Sequence, residues 1–182
     1  TRPSGPVWVF GYGSLMWTPL LHHDARSVAT VPGWRRSFCL RSIAGRGCPQ
    51  QPGRMLSLEP GDGVQGLALR LPDELAATEL RLLWRREMAS GAYRPCWLPV
   101  TLGDGSAVQA ITFVAQPDHP SYEPDACVDT VARHVVRATG QLGRNVDYLH
   151  ALVHALHAHG LHDPYVAALA AAVAALGEPT PE

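Results

Sequence analysis

The sequence predicts an α+β fold: a small curled β-sheet or barrel with flanking helices. Two observations predict it. Short β-like runs separated by glycine and proline fill the first two-thirds of the 182-residue chain, whereas the last third has helical periodicity. A series of short strands with turns between them favours a closed or strongly curled sheet.

Six strands are predicted in the first part of the chain. Each is a short run rich in apolar residues, and glycine or proline separates one run from the next. The predicted strands are Val7 to Tyr12, Arg36 to Arg41, Arg54 to Leu58, Val64 to Leu71, Tyr93 to Leu102 and Val108 to Ala115.

A helix is predicted between the fourth and fifth of these strands. Pro72 and Asp73 open the run ELAATELRLLWRRE, in which Leu80, Leu83 and other apolar residues recur at near-helical spacing. Glu87 therefore falls at the end of this helix or just beyond it.

Three more helices are predicted after the last strand. The first covers Pro124 to Ala138. The second has Asn145 as its N-cap, runs to Ala158 and stops at Gly160. The third begins at Asp163 and Pro164, a capping residue followed by proline at the first helical position.

Length and composition indicate an ordinary globular protein. The chain has the size of one domain, predicted to cover residues 1–182 and to include the C-terminal helices from about residue 145. Hydrophobic residues make up 46% and charged residues 17% of the sequence, which is typical of a globular fold. A net charge of −1 gives no general attraction to nucleic acid or to a membrane. The sequence assigns no oligomeric state.

The cysteines and the apolar runs predict a cytoplasmic protein. Four cysteines occur without CxxC spacing, and a core of this size needs no disulfides, so reduced thiols are expected. The sequence shows no signal-peptide pattern and no apolar run of transmembrane length.

Several common kinds of catalytic site are excluded or disfavoured. All 15 basic residues are arginine, which excludes lysine Schiff bases and a Walker-type phosphate loop. The stripe formed by His150, His154 and His157 lacks the glutamate of HExxH, so it predicts a solvent-facing surface and no metal site. Ser14 does not stand between the glycines as GxSxG requires, and GYGSLMW has only the first two glycines of GxGxxG.

Two features remain as candidates for chemistry. The first is the amide-rich loop Gly11-Tyr12-Gly13-Ser14 after a buried strand, and the second is the carboxylate of Glu87 in LLWRREM. From the residues alone, the loop is either a plain turn or a ligand site. Glu87 is either an ion-paired surface residue or a functional group.

An ordered set of motifs carries a family resemblance. VFGYGSLMW at 9–17 is followed by GWRRSF at 33–38, GRG at 45–47, PGRML at 52–56, WRREM at 84–88 and GRNVDYL at 143–149. Together, and in this order, they resemble the ChaC-type γ-glutamylcyclotransferases, most closely the bacterial branch. Cys39, Leu40, Arg41 and Gly45 depart from the FWQGSTDHRG stretch of the eukaryotic branch.

The resemblance implies the γ-glutamylcyclotransferase fold and a reaction on glutathione. In this family the γ-glutamyl α-amine attacks its own γ-carbonyl, which gives 5-oxoproline and releases cysteinylglycine. The substrate brings its own nucleophile, so the resemblance implies no catalytic serine, metal or cofactor. Two alternatives stay open: another γ-glutamyl amide or dipeptide as substrate, and a regulatory binding module linked to cation transport.

The resemblance also implies roles for single residues. Glu87 matches the catalytic glutamate, a general base and then a general acid, whose pKa partial burial should raise. Arg85 and Arg86 would oppose that shift on contact, so at least one is expected to point away from Glu87. The residues matching the substrate loop, whose backbone amides would bind the α-carboxylate or the oxyanion, are Val9, Phe10, Gly11, Tyr12, Gly13, Ser14 and Leu15.

Four further residues are expected at the substrate. Arg41 and Arg54 would pair with the glycine carboxylate of glutathione, because a guanidinium binds carboxylates in a bidentate manner. Tyr93 and Tyr122 match family positions in the pocket, and for each the alternative is a packed aromatic ring with a bonded hydroxyl. Ser14 is expected to donate a hydrogen bond or to shape the turn.

Overall fold

Five strands close a barrel in the order β1-β3-β2-β4-β5. They are β1 (Trp8–Gly11), β2 (Ala25–Ser42), β3 (Gly53–Arg70), β4 (Tyr93–Leu102) and β5 (Ala107–Ala115). The structure is a computed structural model that describes residues 3–177 of the chain. The closed barrel and its helices confirm the predicted fold class.

The first strand lies inside the barrel wall between two partners. It pairs antiparallel with β3, where Trp8 faces Arg70, and parallel with β5, where Val9 faces Ile111. Its residues Val9 and Phe10 are almost completely buried. The strand ends at Gly11, so the loop that follows emerges directly from the barrel.

The remaining elements are four helices, a 3₁₀ turn and a small sheet. The 3₁₀ turn follows β1 and covers Ser14–Met16. The helices and the two strands of the small sheet are α1 (Ala76–Glu87), α2 (Val128–Val135), β6 (Thr139–Gly140), β7 (Gly143–Arg144), α3 (Asn145–Ala158) and α4 (Pro164–Leu176). No helix within residues 3–177 has both the length and the apolar character that crossing a bilayer requires.

Contacts divide the chain into two compact units, and β2 and β3 contribute residues to both. The first unit holds the residues up to Arg35 and Leu58–Gln116, whereas the second holds Arg36–Ser57 and the residues from Pro117 onward. A single domain over residues 1–182 stays a prediction, and its ends at 1–2 and 178–182 lie outside the described residues.

The first unit has an apolar core between α1 and the strands. Burial of these side chains is the main stabilising contribution, at roughly 25 cal/mol per Å² of apolar surface. The ring of Trp84 on α1 also meets Phe113 of β5 edge-on, with centroids 6.4 Å apart. The buried members of this core are Val7, Val9, Leu15, Leu71, Ala76, Leu83, Ile111 and Phe113.

The second unit has its own core around Phe38. The ring packs against Tyr148 of α3 and Tyr165 of α4, with centroids 6.2 and 6.4 Å away. A buried ion pair joins Arg36 to Asp163 at 2.9 Å. Asp163 also accepts from the amide of Val166 and has Pro164 at the first helical position, which confirms the predicted start of the last helix.

Three predicted strands were too short, because glycine and proline were interpreted as breaks. The prediction of Arg36 to Arg41 covered only the end of β2, which continues through Pro32 and Gly33. The two predictions from Arg54 to Leu71 form the single strand β3. Gly33 adopts a positive φ of 77°, so it is accommodated within a strand without ending it.

The helix boundaries differ from the predictions in three places. The helix α1 begins at Ala76 and not near Pro72, and α2 covers only Val128–Val135 of the predicted 124–138. Asn145 is the first residue of α3 and not its N-cap. Its side chain is occupied elsewhere, because Asn145 Oδ1 accepts from the amide of Arg54 at 2.7 Å and its Nδ2 donates to the Arg54 carbonyl at 2.9 Å.

Candidate active site

The loop after β1 is a tight 3₁₀ turn that only glycine at its start permits. The amide of Met16 donates to the Gly13 carbonyl, and the amide of Thr18 donates to the Ser14 carbonyl, each at 2.8 Å. A Cβ atom at Gly11 would lie 2.8 Å from the Leu15 Cβ, which is too close for any other residue. Glycine at position 11 therefore lets the loop fold back on the end of its strand.

Side chains at the root of this loop are fixed to the neighbouring strand β5. The hydroxyl of Tyr12 donates to the Phe113 carbonyl at 2.6 Å, and the Thr112 hydroxyl donates to the Phe10 carbonyl at 3.0 Å. Leu15 is buried in the core of the first unit. The side chains of Tyr12 and Leu15 thus hold the loop in place.

Three successive amides in this loop are available as donors. Among the residues that the structure describes, none accepts a hydrogen bond from the amides of Gly13, Ser14 or Leu15. Consecutive amides of this kind suit an oxygen anion such as a carboxylate or a tetrahedral oxyanion.

Glu87 is the last residue of α1 and lies within the same unit as the loop. Its side chain is 18% exposed. Burial raises the pKa of Glu87 above its ordinary value, and the positive charge of Arg86 opposes part of that shift. A carboxyl group in this condition is a stronger base when ionised than an exposed glutamate, which suits general acid–base work.

Arg86 connects the loop to this carboxylate. Its Nη2 donates to Ser14 Oγ at 2.7 Å, and its Nη1 donates to the carbonyls of Thr18 at 3.3 Å and Pro19 at 3.4 Å. Its Nε forms an ion pair with Glu87 Oε1 at 3.2 Å. Ser14 is the acceptor in this contact, whereas the predicted donation by its hydroxyl stays a prediction.

The neighbouring Arg85 has a different environment. Its side chain is exposed, and within residues 3–177 the ion pair to Glu87 comes from Arg86 alone. The expectation that one of the two arginines avoids Glu87 is therefore confirmed. One positive charge opposes the rise in the pKa of Glu87 where two would have opposed it.

Tyr93 is the other predicted site residue in the first unit. It begins β4, opposite Ala115 of β5, and packs partly buried against the apolar core. Its position is compatible with both predicted interpretations, a pocket residue and a packed aromatic ring.

Arg41, Arg54 and Tyr122 belong to the second unit. Arg54 is 4% exposed, and its Nη1 donates to the carbonyls of Phe38 at 3.4 Å and Asp125 at 3.1 Å. The guanidinium groups of Arg41 and Arg54 lie 3.6 and 3.9 Å from the carboxylate of Glu123. Both arginines are therefore already paired with a carboxylate of the protein itself, that of Glu123.

The aromatic residue beside this group sits on a short bridge. Tyr122 is partly buried and forms an isolated antiparallel bridge with Leu40, next to Arg41 in β2. This bridge brings the backbone of the Glu123 segment to the end of β2. Substrate contact by Arg41, Arg54 and Tyr122 stays a prediction.

Glu79 is a buried carboxylate that the sequence analysis missed. It is 4% exposed, accepts a 2.6 Å hydrogen bond from His22 Nδ1 through Oε1, and has a buried Oε2 with no partner among the described residues. The signal was present in the helical spacing, because Ala76, Glu79, Leu83 and Glu87 follow one another at intervals of three or four residues.

The histidine stripe of α3 is solvent-facing, as predicted. His150, His154 and His157 are all exposed on that helix. Within residues 3–177, no three histidine, cysteine, aspartate or glutamate side chains are grouped so as to hold a metal ion.

Comparisons with known proteins identify the family of this chain. The chain matches the family described as ChaC-like protein over residues 7–176. It is 48% identical over 163 residues to the glutathione-specific γ-glutamylcyclotransferase of Escherichia coli (strain K12), an alignment covering 89% of this chain and 71% of that protein. It is 30% identical over 174 residues to glutathione-specific γ-glutamylcyclotransferase 1 of Homo sapiens, covering 92% of this chain and 78% of that protein.

A solved structure supports the fold. The crystal structure of a selenomethionine-labelled γ-glutamyl cyclotransferase specific to glutathione from yeast matches with a TM-score of 0.85 at 23% identity, covering 94% of this chain and 97% of that chain. The barrel and its helices are thus shared with that protein at low sequence identity. Since the family match spans nearly all of the described residues, this chain belongs to the ChaC-like protein family.

Proposed function

We propose that this protein is a glutathione-specific γ-glutamylcyclotransferase that converts glutathione to 5-oxoproline and cysteinylglycine. One observation carries the proposal: a partly buried glutamate with a raised pKa is joined through Arg86 to a loop with three available amides. Relatives of this chain in Escherichia coli and Homo sapiens carry the name of the same activity.

The reaction is a ring closure within the substrate. The α-amine nitrogen forms a bond to the γ-carbonyl carbon, and the bond from that carbon to the cysteinyl nitrogen breaks. The site must bring amine and carbonyl carbon to about 3–3.5 Å, and holding the γ-glutamyl group in a folded conformation supplies much of the rate. Nucleophile and leaving group both come from the substrate, so the reaction needs no cofactor.

Glu87 moves the proton. Ionised Glu87 removes a proton from the substrate ammonium, which makes the amine nucleophilic, and then returns it to the nitrogen of the leaving cysteinylglycine. The α-nitrogen loses two protons on going from ammonium to lactam N–H, one before the attack and one after it, and the leaving nitrogen gains two on becoming the ammonium group of cysteinylglycine. Protons are therefore conserved over the reaction, and the carboxylate is regenerated. The raised pKa of Glu87 brings it closer to the pKa of the amine that the carboxylate deprotonates, which favours proton transfer.

The loop from Val9 to Leu15 binds the charged oxygens. The amides of Gly13, Ser14 and Leu15 would donate to the γ-glutamyl α-carboxylate or to the tetrahedral oxyanion. The side chains of Val9 and Phe10 are buried, so these two residues support the loop from below through their strand.

The remaining predicted residues would bind the rest of glutathione. Arg41 is the better candidate for the glycine carboxylate, because its side chain is 43% exposed whereas that of Arg54 is 5% exposed. Tyr93, in the first unit, and Tyr122, in the second, stay predicted substrate contacts. A cytoplasmic location fits this function, since glutathione keeps cytosolic thiols reduced.

Product release from glutathione tests the proposal. Purified protein should release cysteinylglycine and 5-oxoproline in equal amounts from glutathione, with a higher kcat/KM than for γ-glutamyl-alanine or a simple γ-glutamyl amine. A higher kcat/KM for one of the other compounds would mean that this compound, and not glutathione, is the preferred substrate. Absence of 5-oxoproline from every compound across a wide pH range would refute a cyclotransferase.

A further inference from the structure

We propose that Arg86 is a positioning residue that sets the substrate loop and the general base relative to each other. The inference rests on the proposed function, and it starts from the contacts of a single guanidinium group. Three of its nitrogens make four contacts, of which three are hydrogen bonds to the segment from Ser14 to Pro19 and one is the ion pair with Glu87.

Only an arginine side chain can make all of these hydrogen bonds to the loop at the same time. Nη2 reaches the Ser14 hydroxyl, and Nη1 reaches the carbonyls of Thr18 and Pro19. The two nitrogens are fixed in one plane, so they define where the start of the 3₁₀ turn and the segment after it lie. A lysine ammonium is a compact charge on a flexible stem and cannot hold the same three acceptors while also facing Glu87.

The carboxylate contact fixes the other half of the site. Arg86 Nε lies 3.2 Å from Glu87 Oε1, which leaves Oε2 as the oxygen that can approach the substrate amine. Arg86 is the charged group that affects the pKa of Glu87, and it acts against the burial of that side chain. Arg86 thus orients one oxygen of the base and moderates its basicity.

The contact with Arg86 leaves the Ser14 hydroxyl free to act as a hydrogen-bond donor. Its Oγ accepts from Arg86, so its hydroxyl hydrogen remains able to donate, and within the described chain no residue accepts it. The Arg86 charge polarises this hydroxyl, which lies beside the available amide of the same residue. Arg86 therefore acts on substrate binding through Ser14 and on proton transfer through Glu87.

Three variants separate these two effects: Arg86→Met, Arg86→Lys and Ser14→Ala. Arg85→Met is the matched control, because Arg85 is the adjacent arginine and is exposed. Kinetics with glutathione and hydrogen exchange of the Met16 and Thr18 amides, both of which are bonded inside the loop, provide the measurements. The exchange measurement needs no turnover.

The expected results differ between variants. Arg86→Met should lower kcat/KM about 10- to 100-fold, since small misplacements of reacting groups cost this much. It should also speed exchange of the two loop amides and move the acidic limb of the kcat profile to higher pH. Arg86→Lys should return that limb toward its wild-type position, because the charge is restored, while loop exchange stays fast. Ser14→Ala should raise KM and leave the acidic limb unmoved, and Arg85→Met should match the wild type.

Two outcomes would overturn the inference. One is wild-type exchange of Met16 and Thr18 in Arg86→Met, and the other is full recovery of exchange and kinetics in Arg86→Lys. If Arg86→Met does not fold, Arg86→Lys alone decides through its exchange rates. If the wild type cyclises no γ-glutamyl compound, the proposed function fails, while the exchange rates still show whether Arg86 holds the loop.

Discussion

Arg86 and Arg54 each stand at the centre of a hydrogen-bond network, one in each unit of the molecule. Arg54 is almost fully buried, and it contacts two carbonyls and Glu123 while its backbone pairs with Asn145. Arg86 is partly exposed and lies beside a carboxylate whose pKa is raised. An arginine that belongs to a chemical site is therefore distinguished by the shifted pKa of the carboxylate beside it and not by its own burial.

The largest effect is expected at the base in the first network. Glu87→Gln keeps the shape of the side chain and removes its ability to take a proton, so kcat should fall about 10²- to 10⁴-fold. The fold should persist, because glutamine fills the same space.

Steady-state release of 5-oxoproline measures the effect of this change, and circular dichroism checks the fold. Retained activity would assign the proton transfer to another carboxylate. Glu59 and Glu123 are the carboxylates to replace next, although each is ion-paired, Glu59 with Arg35 at 3.3 Å.

A loss of stability is expected at the centre of the second network. Arg54→Met removes donors from the carbonyls of Phe38 and Asp125 and leaves Glu123 with one arginine, so the free energy of unfolding should fall by about 2–3 kcal/mol. Arg41→Met is the matched control, because its ion pair with Glu123 is exposed and contributes under about 1 kcal/mol.

Urea unfolding of both variants makes this comparison. KM for glutathione is then measured on the variants that remain folded. If Arg54→Met were as stable as Arg41→Met, the second network would not be a structural one, and substrate binding would become its main role.

A smaller effect is expected at the buried carboxylate of Glu79. His22→Ala removes the hydrogen-bond partner of Glu79 and leaves both carboxylate oxygens of Glu79 without a partner in the described chain. The free energy of unfolding should therefore fall by about 1–2 kcal/mol. His23→Ala is the control, because that histidine is exposed and lies 3.4 Å from the Leu21 carbonyl.

The double variant His22→Ala with Glu79→Leu sharpens this test. An apolar residue needs no partner in a buried position, so stability should recover. No recovery would mean that His22 contributes through something other than its bond to Glu79.

The smallest effect concerns the stability of Glu87→Gln as a function of pH. The pKa of Glu87 is raised in the folded state, so the folded protein binds the proton more tightly and loses stability as pH rises from the ordinary glutamate pKa of 4.5 through the folded pKa. Glutamine removes this loss, so at neutral pH the Tm of the variant should exceed that of the wild type by a few degrees at most. Below pH 4.5 the difference should disappear.

Thermal unfolding at several pH values measures this difference. A variant that is less stable than the wild type at neutral pH would contradict a net penalty for the ionised carboxylate. The ion pair with Arg86 would then outweigh the burial of Glu87.

The sequence predicted the elements whose pattern is local. β4 was predicted with its observed bounds, Tyr93 to Leu102, although Pro95 and Pro99 lie within it. β2 and β3 were underestimated because Pro32, Gly33 and Gly61 have the local chemistry of turns. Their place within strands depends on distant partners, and the space where a Cβ of Gly61 would lie is filled by the side chain of Arg35.

In the candidate site, too, the residues in local motifs were predicted and the contacts between distant residues were not. Glu87 and the loop around Gly11 were found through the family resemblance, since motifs preserve residue identity. The bond between Arg86 and Ser14 joins residues 72 positions apart, and nothing in the local pattern of WRREM distinguishes Arg86 from Arg85. Only the end of α1, seen in three dimensions, shows which arginine meets the loop.

The position of Arg86 directly before Glu87 has a mechanical consequence. Because Arg86, which holds the loop, and Glu87, the proposed proton acceptor, are consecutive residues at the end of one helix, a small displacement of α1 would move both in the same direction. The spacing between the loop and the carboxylate would then change less than the location of either.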